Sequence, residues 1–324
     1  MDFVIIASTL NLALATATPI ALGAYGGLFS ERAGVVNIAI EGMMLTSAMM
    51  ASLVSGYTGS LFLGILAGMG SSGLMAALHA VVSIKFKTDQ IISGTVINIL
   101  AAGLTGHMYQ VFLVPPLWPG SAGTFPKMPI PVLSEIPFIG KVLFSHQPIV
   151  YIMIILTFVI HYVLFFTPWG LRMRAVGEHP QAADTLGINV YFTRYANVII
   201  GGLFAGLAGI WLTLEWINTF TINMTTGRGF IALAALIFGR WTPFGAFGAA
   251  LIFGLANAIQ IRAQVVGITL PPSLVQALPS AVAEFLQHPP AEFLQMMPYV
   301  LTIVVAAVRR PIPPAAIGLP YEKS

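Results

Sequence analysis

The stretch FVIIASTLNLALATATPIALGAYGGL, residues Phe3 to Leu28, contains no Asp, Glu, Lys or Arg. A transmembrane helix needs about 20 consecutive apolar residues to cross the hydrocarbon core of a bilayer. Soluble α/β enzymes also contain apolar runs, but those runs are strands of about 4–8 residues. The stretch therefore predicts a membrane-spanning helix. No Lys or Arg precedes Arg32, so the positive n-region of a cleaved signal peptide is missing, and we expect this helix to be retained.

The composition of the whole chain agrees with its first helix. Of 324 residues, 57% are hydrophobic and only 8% are charged, whereas about a quarter of the residues in soluble domains are charged. We therefore predict an all-α integral membrane protein. The net charge of +3 comes from scattered basic residues, so a nucleic-acid partner is not expected. Cysteine is absent, which excludes disulfides and thiolate metal sites.

Apolar runs continue along the chain and predict one transmembrane domain over residues 1–324, a polytopic bundle of about nine membrane segments. The seven long runs are Phe3–Leu28, Ala33–Leu53, Leu61–Ile84, Ile91–Val114, Pro148–Phe166, Tyr195–Ile217 and Phe244–Ile261. Two further segments, Phe230–Gly239 and Phe293–Val308, are short or broken. Irregular backbone at membrane depth survives only where protein or a water-filled cavity surrounds it. These two segments therefore point toward a transport pathway.

The basic residues predict the orientation, because cytoplasmic loops carry an excess of Lys and Arg. The side predicted to be cytoplasmic carries Arg32, Lys85, Lys87, Arg172, Arg174, Arg194, Arg240, Arg309, Arg310 and Lys323. The other side carries Lys127, Lys141, Arg228 and Arg262. The N-terminus is then outside, and the tail at residues 311–324 is cytoplasmic.

Three of the connections between predicted membrane segments are long. The Pro-rich outer loop at residues 115–147 is either an ordered cap or docking surface, or a solvated linker. A second outer loop at 264–292 contains the first copy of a repeated Ala-Glu-Phe-Leu-Gln sequence and the beginning of the second, from which we infer no chemistry. The inner loop at 168–193 is the most polar of the connections.

The inner loop contains a short predicted helix. Pro180 fits its first turn and Gly187 its C-terminal stop, and about two turns lie between them. Ala182, Ala183 and Leu186 would then share one small-residue face. A helix of two turns has almost no stability of its own in water, because nucleation is costly. The pattern alone is compatible with a helix that docks on a soluble subunit and with an amphipathic connector resting on the bilayer.

A family resemblance favours the docking helix. The stretch RAVGEHPQAADTLGIN, Arg174–Asn189, resembles the coupling loop of permease subunits of ATP-binding-cassette (ABC) importers. ERAGVVNIAIEGMML at Glu31–Leu45 and GRGFIALAALIFGRWTPFGAFGAALIFG at Gly227–Gly254 are also similar to that branch. The residues of Glu31–Leu45 resemble those of the nucleoside and simple-sugar permeases more than those of the branched-chain amino acid permeases. The loop residues implied to contact the ATPase are Arg174, Gly177, Glu178, Pro180, Ala182, Ala183, Leu186 and Gly187.

The resemblance implies a set of partners and a location. It implies a separate ABC ATPase, an extracytoplasmic substrate-binding protein and a second permease subunit, either a related chain or a copy, in a prokaryotic cytoplasmic (inner) membrane. No G-x-x-x-x-G-K-[ST] phosphate loop occurs in the sequence, so ATP hydrolysis is expected on the separate subunit. We therefore expect a nucleoside or simple-sugar permease without cofactor, metal or catalytic residues.

Polar residues inside the predicted helices are the candidate pathway. An intramembrane carboxylate usually faces the bundle interior, pairs with another group or lines a watery path, and Glu41 with Asn37 four residues earlier could share one helical face. The full candidate set is Asn37, Glu41, Thr95, Asn98, Asn257 and Gln260. Interhelical hydrogen bonding is the alternative role for each amide or hydroxyl in this set. Glu215, at the outer end of its helix, is expected to reach the interface.

Three alternatives stay open at this point. A secondary transporter would need coupling-ion ligands, and intramembrane Asp and Glu are few. His79, His107 and His161 show no metal-ligand spacing and no proton-relay chain. A structural membrane protein without a pathway would not need the buried polar groups. A branched-chain amino acid would need fixed charges or helix ends for both of its charged groups, whereas a nucleoside or sugar can be passed by amides and aromatic rings.

Overall fold

The computed structural model describes residues 2–114, 120–266, 290, 293, 296, 300, 302–304 and 312–323. Its helices are α1 (Asp2–Arg32), α2 (Ile40–Thr58), α3 (Leu61–Ala80), α4 (Gln90–Phe112), α5 (Ile139–Leu143), α6 (Pro148–Phe166), α7 (Pro168–Glu178), α8 (Pro180–Thr185), α9 (Val190–Trp211), α10 (Arg228–Phe238) and α11 (Pro243–Val266). A π-helix continues α3 over Val81–Lys85 and α9 over Leu212–Ile217, and a 3-10 turn covers Leu133–Glu135. Two-residue strands β1 (Met128–Pro129) and β2 (Ser145–His146) complete the elements. Nearly all of the predicted loop at 264–292, and most of the predicted segment Phe293–Val308, lie outside the described residues.

Helices long and apolar enough to cross a membrane confirm the all-α, multi-pass fold. Among the described residues there are six of them, at Phe3–Arg32, Leu61–Lys85, Gln90–Phe112, Pro148–Phe166, Val190–Ile217 and Pro243–Val265. Helix α2 has 19 residues. The predicted short segment Phe230–Gly239 is the 11-residue helix α10, about 16 Å long at 1.5 Å per residue. The described residues thus do not confirm the predicted count of nine.

The junction between α1 and α2 differs from the hydropathy prediction. A membrane segment was predicted over Ala33–Leu53, but α1 ends at Arg32 and α2 begins only at Ile40. Gly34 adopts a left-handed φ of 87°, a conformation that commonly ends a helix and that glycine adopts without a Cβ penalty. A turn over residues 33–39 therefore separates the two helices, although its residues are as apolar as a helix would need.

The chain forms two compact units. The smaller contains Met1–Ala17, Pro129–His146 and Leu251–Arg310, and the larger contains Thr18–Met128, Gln147–Ala250 and Pro311–Ser324. Within the smaller unit, the amide of Asn11 donates to the carbonyl of Lys141 at 2.7 Å, and the hydroxyl of Thr16 donates to the carbonyl of Gly254 at 2.9 Å. These bonds hold the first turns of α1 against residues 129–146 and against α11.

The core of the larger unit is a set of closely packed helices, α2, α3 and α9. The hydroxyl of Ser47 donates to the carbonyl of Gly206 at 2.7 Å, and that of Ser72 donates to the carbonyl of Gly202 at 2.6 Å. Such contacts require the backbones to approach closely, and a Cβ on Gly202 would overlap with Ala76. Small residues and hydroxyl groups at helix interfaces are typical of membrane bundles.

Residues 120–128 of the Pro-rich segment at 115–147 belong to the larger unit and are bound to its other elements. The amide of Ala122 donates to the carbonyl of Asn218 at 3.1 Å, and that of Phe125 donates to the carbonyl of Leu214 at 2.9 Å. The hydroxyl of Ser55 donates to the carbonyl of Ala122. Residues 122–125 thus lie across the C-terminal ends of α2 and of the π-helix that follows α9.

Candidate functional site

Glu41 binds the N-terminus of the short helix α10. Its Oε1 accepts the backbone N–H of Gly227 at 2.8 Å, and its Oε2 accepts that of Gly229 at 2.6 Å. The first N–H groups of a helix have no partner within the helix, and the helix dipole makes this end favourable for an anion. The half-buried carboxylate of Glu41 therefore satisfies two free donors and holds the beginning of α2 against the beginning of α10.

The contact between Glu41 and α10 leaves no room for a side chain on the α10 side. A Cβ on Gly229 would lie 2.6 Å from the Glu41 backbone nitrogen. The preceding connector has positive φ at Asn218, Asn223, Thr226 and Gly227. Left-handed backbone at residues other than glycine is uncommon, and it persists where the surrounding structure enforces it, often at functional sites. The carboxylate thus lies where a strained connector turns into a helix.

Asn98 fixes the first turn of α2 from the other side. Its Oδ1 accepts the N–H of Gly42 at 2.8 Å, and its Nδ2 donates to the carbonyl of Ile38 at 3.0 Å. Both bonds go to the backbone, and they satisfy groups that the late beginning of α2 leaves free. Asn98 and Glu41 therefore belong to one junction, at which α2, α4 and α10 meet.

Asn37 does not share a helical face with Glu41, because α2 begins after it, at Ile40. The predicted helical pair is therefore wrong. Asn37 is fully buried in the turn before α2, where its Nδ2 donates to the hydroxyl of Ser30 at 3.1 Å. Its Oδ1 has no hydrogen-bond partner among the described residues. A buried acceptor without a partner is costly, which makes Asn37 the most unusual polar group of the junction.

The other predicted pathway residues are Thr95, Asn257 and Gln260. The side chain of Thr95 is exposed and donates to the carbonyl of Ile91, one turn earlier in its own helix. Thr95 and Asn98 therefore do not act as a pair. Asn257 and Gln260 are half-buried on the part of α11 that belongs to the smaller unit. Within the larger unit the structure places Asn37, Glu41 and Asn98 in one region and does not bring Thr95 to it.

Glu215 is a carboxylate whose role the sequence did not reveal. It is only 4% exposed, not extended to the interface as expected. Its Oε1 accepts the N–H of Ile149 in the first turn of α6 at 2.7 Å, and its Oε2 has no partner among the described residues. The π-helix at Leu212–Ile217 turns this side chain inward. π-Helical turns inside α-helices are often found at functional sites, but hydropathy carries no signal for them.

Glu31 and Arg32, the last two residues of α1, both form hydrogen bonds with Trp241. The indole N–H of Trp241 donates to Oε2 of Glu31 at 2.5 Å, and Nε of Arg32 donates to the carbonyl of Trp241 at 2.9 Å. Trp241 follows the C-terminus of α10, so α10 is held at its first turn by Glu41 and near its end by Glu31. The short helix is thereby fixed at both ends by carboxylates of the same Glu31–Leu45 stretch.

The inner loop folds as the predicted short helix, with one correction. Helix α8 runs from Pro180 to Thr185 and is followed by Gly187 with a φ of 80°. Ala183 is only 2% exposed, whereas Leu186 is 82% exposed and Ala182 is also exposed. The predicted shared face of Ala182, Ala183 and Leu186 is therefore wrong. Ala182 and Ala183 are adjacent in the helix and point about 100° apart around its axis, so only Ala183 faces inward, and Leu186 lies beyond the end of the helix.

The remaining predicted loop residues mostly contact other parts of the larger unit. Arg174 is half-buried, with its guanidinium 5.1 Å from the ring of Phe165. A Cβ on Gly177 would overlap with the carbonyl of Arg32. Pro180 is buried, and Oε2 of Glu178 accepts the N–H of Ala315 at 3.1 Å. Ala182, Leu186 and Gly187 are left facing outward from the loop.

Known proteins are similar to this chain along nearly its whole length. A family described as the permease component of branched-chain amino acid transport systems matches residues 9–307. The guanosine ABC transporter permease protein NupQ of Bacillus subtilis is 42% identical over 100% of this chain and 99% of its own length. The nucleoside ABC transporter permease protein NupC of Lactococcus lactis is 38% identical over 95% and 94% of the two chains. The putative glucose ABC transporter permease protein TsgC13 of Haloferax volcanii is 36% identical over 92% and 90%. No solved structure matches.

Proposed function

The chain belongs to the permease family of branched-chain amino acid transport systems, and from that premise we propose that it forms the pathway of an ATP-driven nucleoside importer. It is a transport component and not an enzyme. The observation that carries the choice of substrate is the 42% identity, over the full length of both chains, to a permease named for guanosine. Simple sugars are the second candidate, because a relative at 36% is named for glucose.

The junction at Glu41 supports a pathway for a neutral solute. Helices that begin inside a membrane are typical of transport sites, since they expose helix ends and backbone polar groups there. Here α2 and α10 both begin at the junction, and in the turn over residues 33–39 the Oδ1 of Asn37 has no partner within the described part of the chain. The carboxylate of Glu41 is already bound to α10, so it is not available as a counter-ion for an amino acid ammonium group. The acceptors that remain for a solute are amide oxygens such as the Oδ1 of Asn37, which can bind the hydroxyl groups of a sugar or the base of a nucleoside.

The outward-facing residues of α8 and of the turn that follows it support contact with an ATPase. Leu186 is a large apolar side chain exposed beside α8 in a polar loop. A single exposed apolar residue is ordinary by itself, so its role as a contact rests on the position of this loop in the family. We propose that Ala182, Leu186 and Gly187 contact the ATPase, whereas Ala183 and Pro180 hold the helix in place. The face that carries α8 would be cytoplasmic, and the N-terminus would lie outside. The other proposed partners are a substrate-binding protein and a second, related permease subunit.

A pair of substitutions separates the role of the outward-facing residues from the role of the buried residues in α8 and the turn that follows it. Leu186→Asp is expected to leave the amount of membrane-inserted permease unchanged and to abolish uptake, because a charge would replace the exposed apolar contact. Ala183→Arg is expected to lower the amount of folded permease, since the new charge would be buried. Uptake that persists in Leu186→Asp at normal permease levels would argue against docking at this face.

One purification tests the class and the substrate together. The tagged chain is isolated in detergent, co-purifying proteins are identified by mass spectrometry, and ATPase activity is measured with nucleosides, simple sugars and branched-chain amino acids. We expect an ABC ATPase in the complex and stimulation by nucleosides. Stimulation by leucine or valine alone would overturn the substrate. A chain that purifies alone and transports alone in liposomes would overturn the ATP-driven class.

Glu41→Gln tests the pathway itself. The variant retains one acceptor for the α10 backbone but removes the charge, so we expect uptake to fall more than the amount of assembled complex. Equal losses of uptake and of complex would show that Glu41 only holds helices together.

A further inference from the structure

Residues 312–323, here called the C-terminal strap, lie across several inner connections of the larger unit. The N–H of Ala316 donates to the carbonyl of Gly177 at the end of α7, and that of Gly318 donates to the carbonyl of Gly34 between α1 and α2. The distances are 2.9 and 3.1 Å. Backbone bonds thus tie the strap to two connections that are far apart in the sequence. The two connections are also close to each other, because a Cβ on Gly177 would lie 3.5 Å from the backbone nitrogen of Gly34.

Side chains from the beginning of α9 bind the same strap. Nη1 of Arg194 donates to the carbonyl of Leu319 at 2.9 Å, and Arg194 is only 2% exposed. The hydroxyl of Tyr191 donates to the carbonyl of Tyr321 at 3.3 Å, and the two tyrosine rings are 5.3 Å apart. A buried guanidinium is costly unless it is hydrogen-bonded, so the strap carbonyl is part of what makes this position of Arg194 possible.

The strap also supplies the inner support of α8. Tyr321 is 3% exposed and forms one apolar cluster with Val176, Ala183 and Val190. Ala183 is the inward-facing residue of α8, a helix of six residues. A helix this short cannot hold its shape alone, and it gains its stability from the cluster to which Tyr321 contributes its ring.

A fourth contact fixes the register at the end of the strap. Nζ of Lys87, between α3 and α4, lies 2.6 Å from Oε1 of Glu322. The pairing lowers the pKa of the Glu322 carboxyl and raises that of the Lys87 amine, in each case mainly through the hydrogen bond between them. Exposed ion pairs contribute little to stability. The pair therefore fixes the position of the end of the strap more than it contributes to the free energy of folding.

From these contacts we propose that the C-terminal strap is a positioning element that couples α8 to the turn between α1 and α2. The inner face of α8 rests on Tyr321, and three residues earlier in the strap Gly318 is bonded to Gly34. The turn that begins there leads directly to Glu41 and the N-terminus of α10. A displacement of α8 by a partner then moves the strap and the turn as one body. The proposal rests on the proposed function, because it assumes that a partner displaces α8.

Contiguous contacts alone do not establish coupling, so the first experiment measures coupling directly. The complex is prepared with Tyr321→Ala, with Tyr321→Phe, and with the strap deleted at 312–324. Leu319→Ala is the matched control, since this neighbouring side chain is 57% exposed and only its carbonyl is used. Co-purified ATPase, ATP hydrolysis and solute uptake are measured in each.

We expect Tyr321→Ala and the deletion to lower uptake at least about fivefold, the low end of typical coupling effects, while the ATPase still co-purifies and hydrolyses ATP. Tyr321→Phe, which retains the ring, is expected to restore uptake, and Leu319→Ala to resemble the unmodified complex. Unchanged uptake after deletion would overturn the proposal. So would a loss of uptake that merely follows a loss of permease or of bound ATPase, because that result describes a folding role.

A second experiment does not depend on the transported solute. Hydrogen exchange is measured on the purified complex with and without residues 312–324. The deletion is expected to raise exchange in residues 180–189 and also in the turn at 33–39, whereas residues 122–125 are expected to stay unchanged. Faster exchange in the first region alone would overturn the coupling. If the unmodified complex proves insensitive to nucleosides, the proposed substrate fails while this measurement still decides on the strap.

A third experiment distinguishes a permanent link from a latch that opens during transport. Because this chain contains no cysteine of its own, Lys87→Cys with Glu322→Cys can be joined by a short bismaleimide without labelling of other positions in the permease. The strap is expected to stay bound throughout the cycle, so the cross-linked complex should take up solute as fast as the same variant before cross-linking. Uptake that stops on cross-linking would show that the strap must detach, and would overturn the rigid link.

Discussion

Glu41 and Glu215 occupy similar chemical positions in two different regions of the larger unit. Each is an acidic side chain within a helix, and each accepts at least one backbone N–H group from the beginning of another helix. Glu41 uses both carboxylate oxygens, on Gly227 and Gly229 of α10. Glu215 uses one, on Ile149 of α6, and its Oε2 has no partner among the described residues. Helix N-termini thus stabilise both charges, but only Glu41 is matched on both oxygens.

The surroundings of the two carboxylates differ as well. Glu41 lies between a non-helical turn at residues 33–39 and a connector with left-handed backbone, so the two helices that it joins both begin at this junction. Glu215 joins the end of one long helix to the beginning of another. This difference is why we propose the Glu41 junction, and not Glu215, as part of the transport pathway.

The largest expected effect is that of Glu41→Ala on stability. The substitution removes two hydrogen bonds to a charged group, each contributing about 1.5–3 kcal/mol, and leaves two N–H groups of α10 without partners. We expect the free energy of unfolding to fall by about 3 kcal/mol or more, measured by denaturant titration of the purified chain in detergent. Glu215→Ala removes one bond and is expected to cost about half as much. An equal or larger loss at Glu215 would contradict the comparison.

Gly229→Ala probes the same junction from α10. The new Cβ would lie 2.6 Å from the backbone of Glu41, so α10 must move away and lengthen both hydrogen bonds. Overpacking of this kind typically costs about 1–3 kcal/mol. Gly248→Ala is the matched control, because a Cβ there meets nothing within 4 Å and alanine favours the helix. Thermal unfolding of the two variants in the same detergent should separate them, and similar midpoints would argue against a tight Glu41 contact.

The sequence predicted the helices whose signals are local. The all-α membrane fold, the short helix now seen as α10, and α8 between Pro180 and Gly187 all follow from apolar runs and from Pro and Gly positions. These signals do not reach the partner of Glu41. That partner is backbone N–H, which every residue except proline has, and it lies 186 residues away in the chain.

Two errors at the candidate site have a common physical cause. The pair of Asn37 with Glu41 and the face shared by Ala182, Ala183 and Leu186 were both derived from regular helical spacing. In the structure the first is interrupted because α2 begins only at Ile40, and the second because α8 ends at Thr185. Tertiary contacts set these ends: Asn98 binds the beginning of α2, and the C-terminal strap packs under α8. Periodicity cannot locate a helix end that a distant segment determines.

Glu215→Gln is expected to have the smallest effect on stability, and its comparison with Glu41→Gln distinguishes the two carboxylates most directly. Glutamine has one acceptor oxygen, which can keep the bond to the N–H of Ile149 and place the amide nitrogen where Oε2 now has no partner among the described residues. We therefore expect a change in unfolding free energy within about 1 kcal/mol, the net value of a single neutral hydrogen bond. Glu41→Gln must direct its amide nitrogen toward one of two N–H donors, and it should cost about 1.5–3 kcal/mol. If both variants unfold alike, the second oxygen of Glu41 contributes nothing, and the distinction between the two carboxylates reduces to their position in the fold.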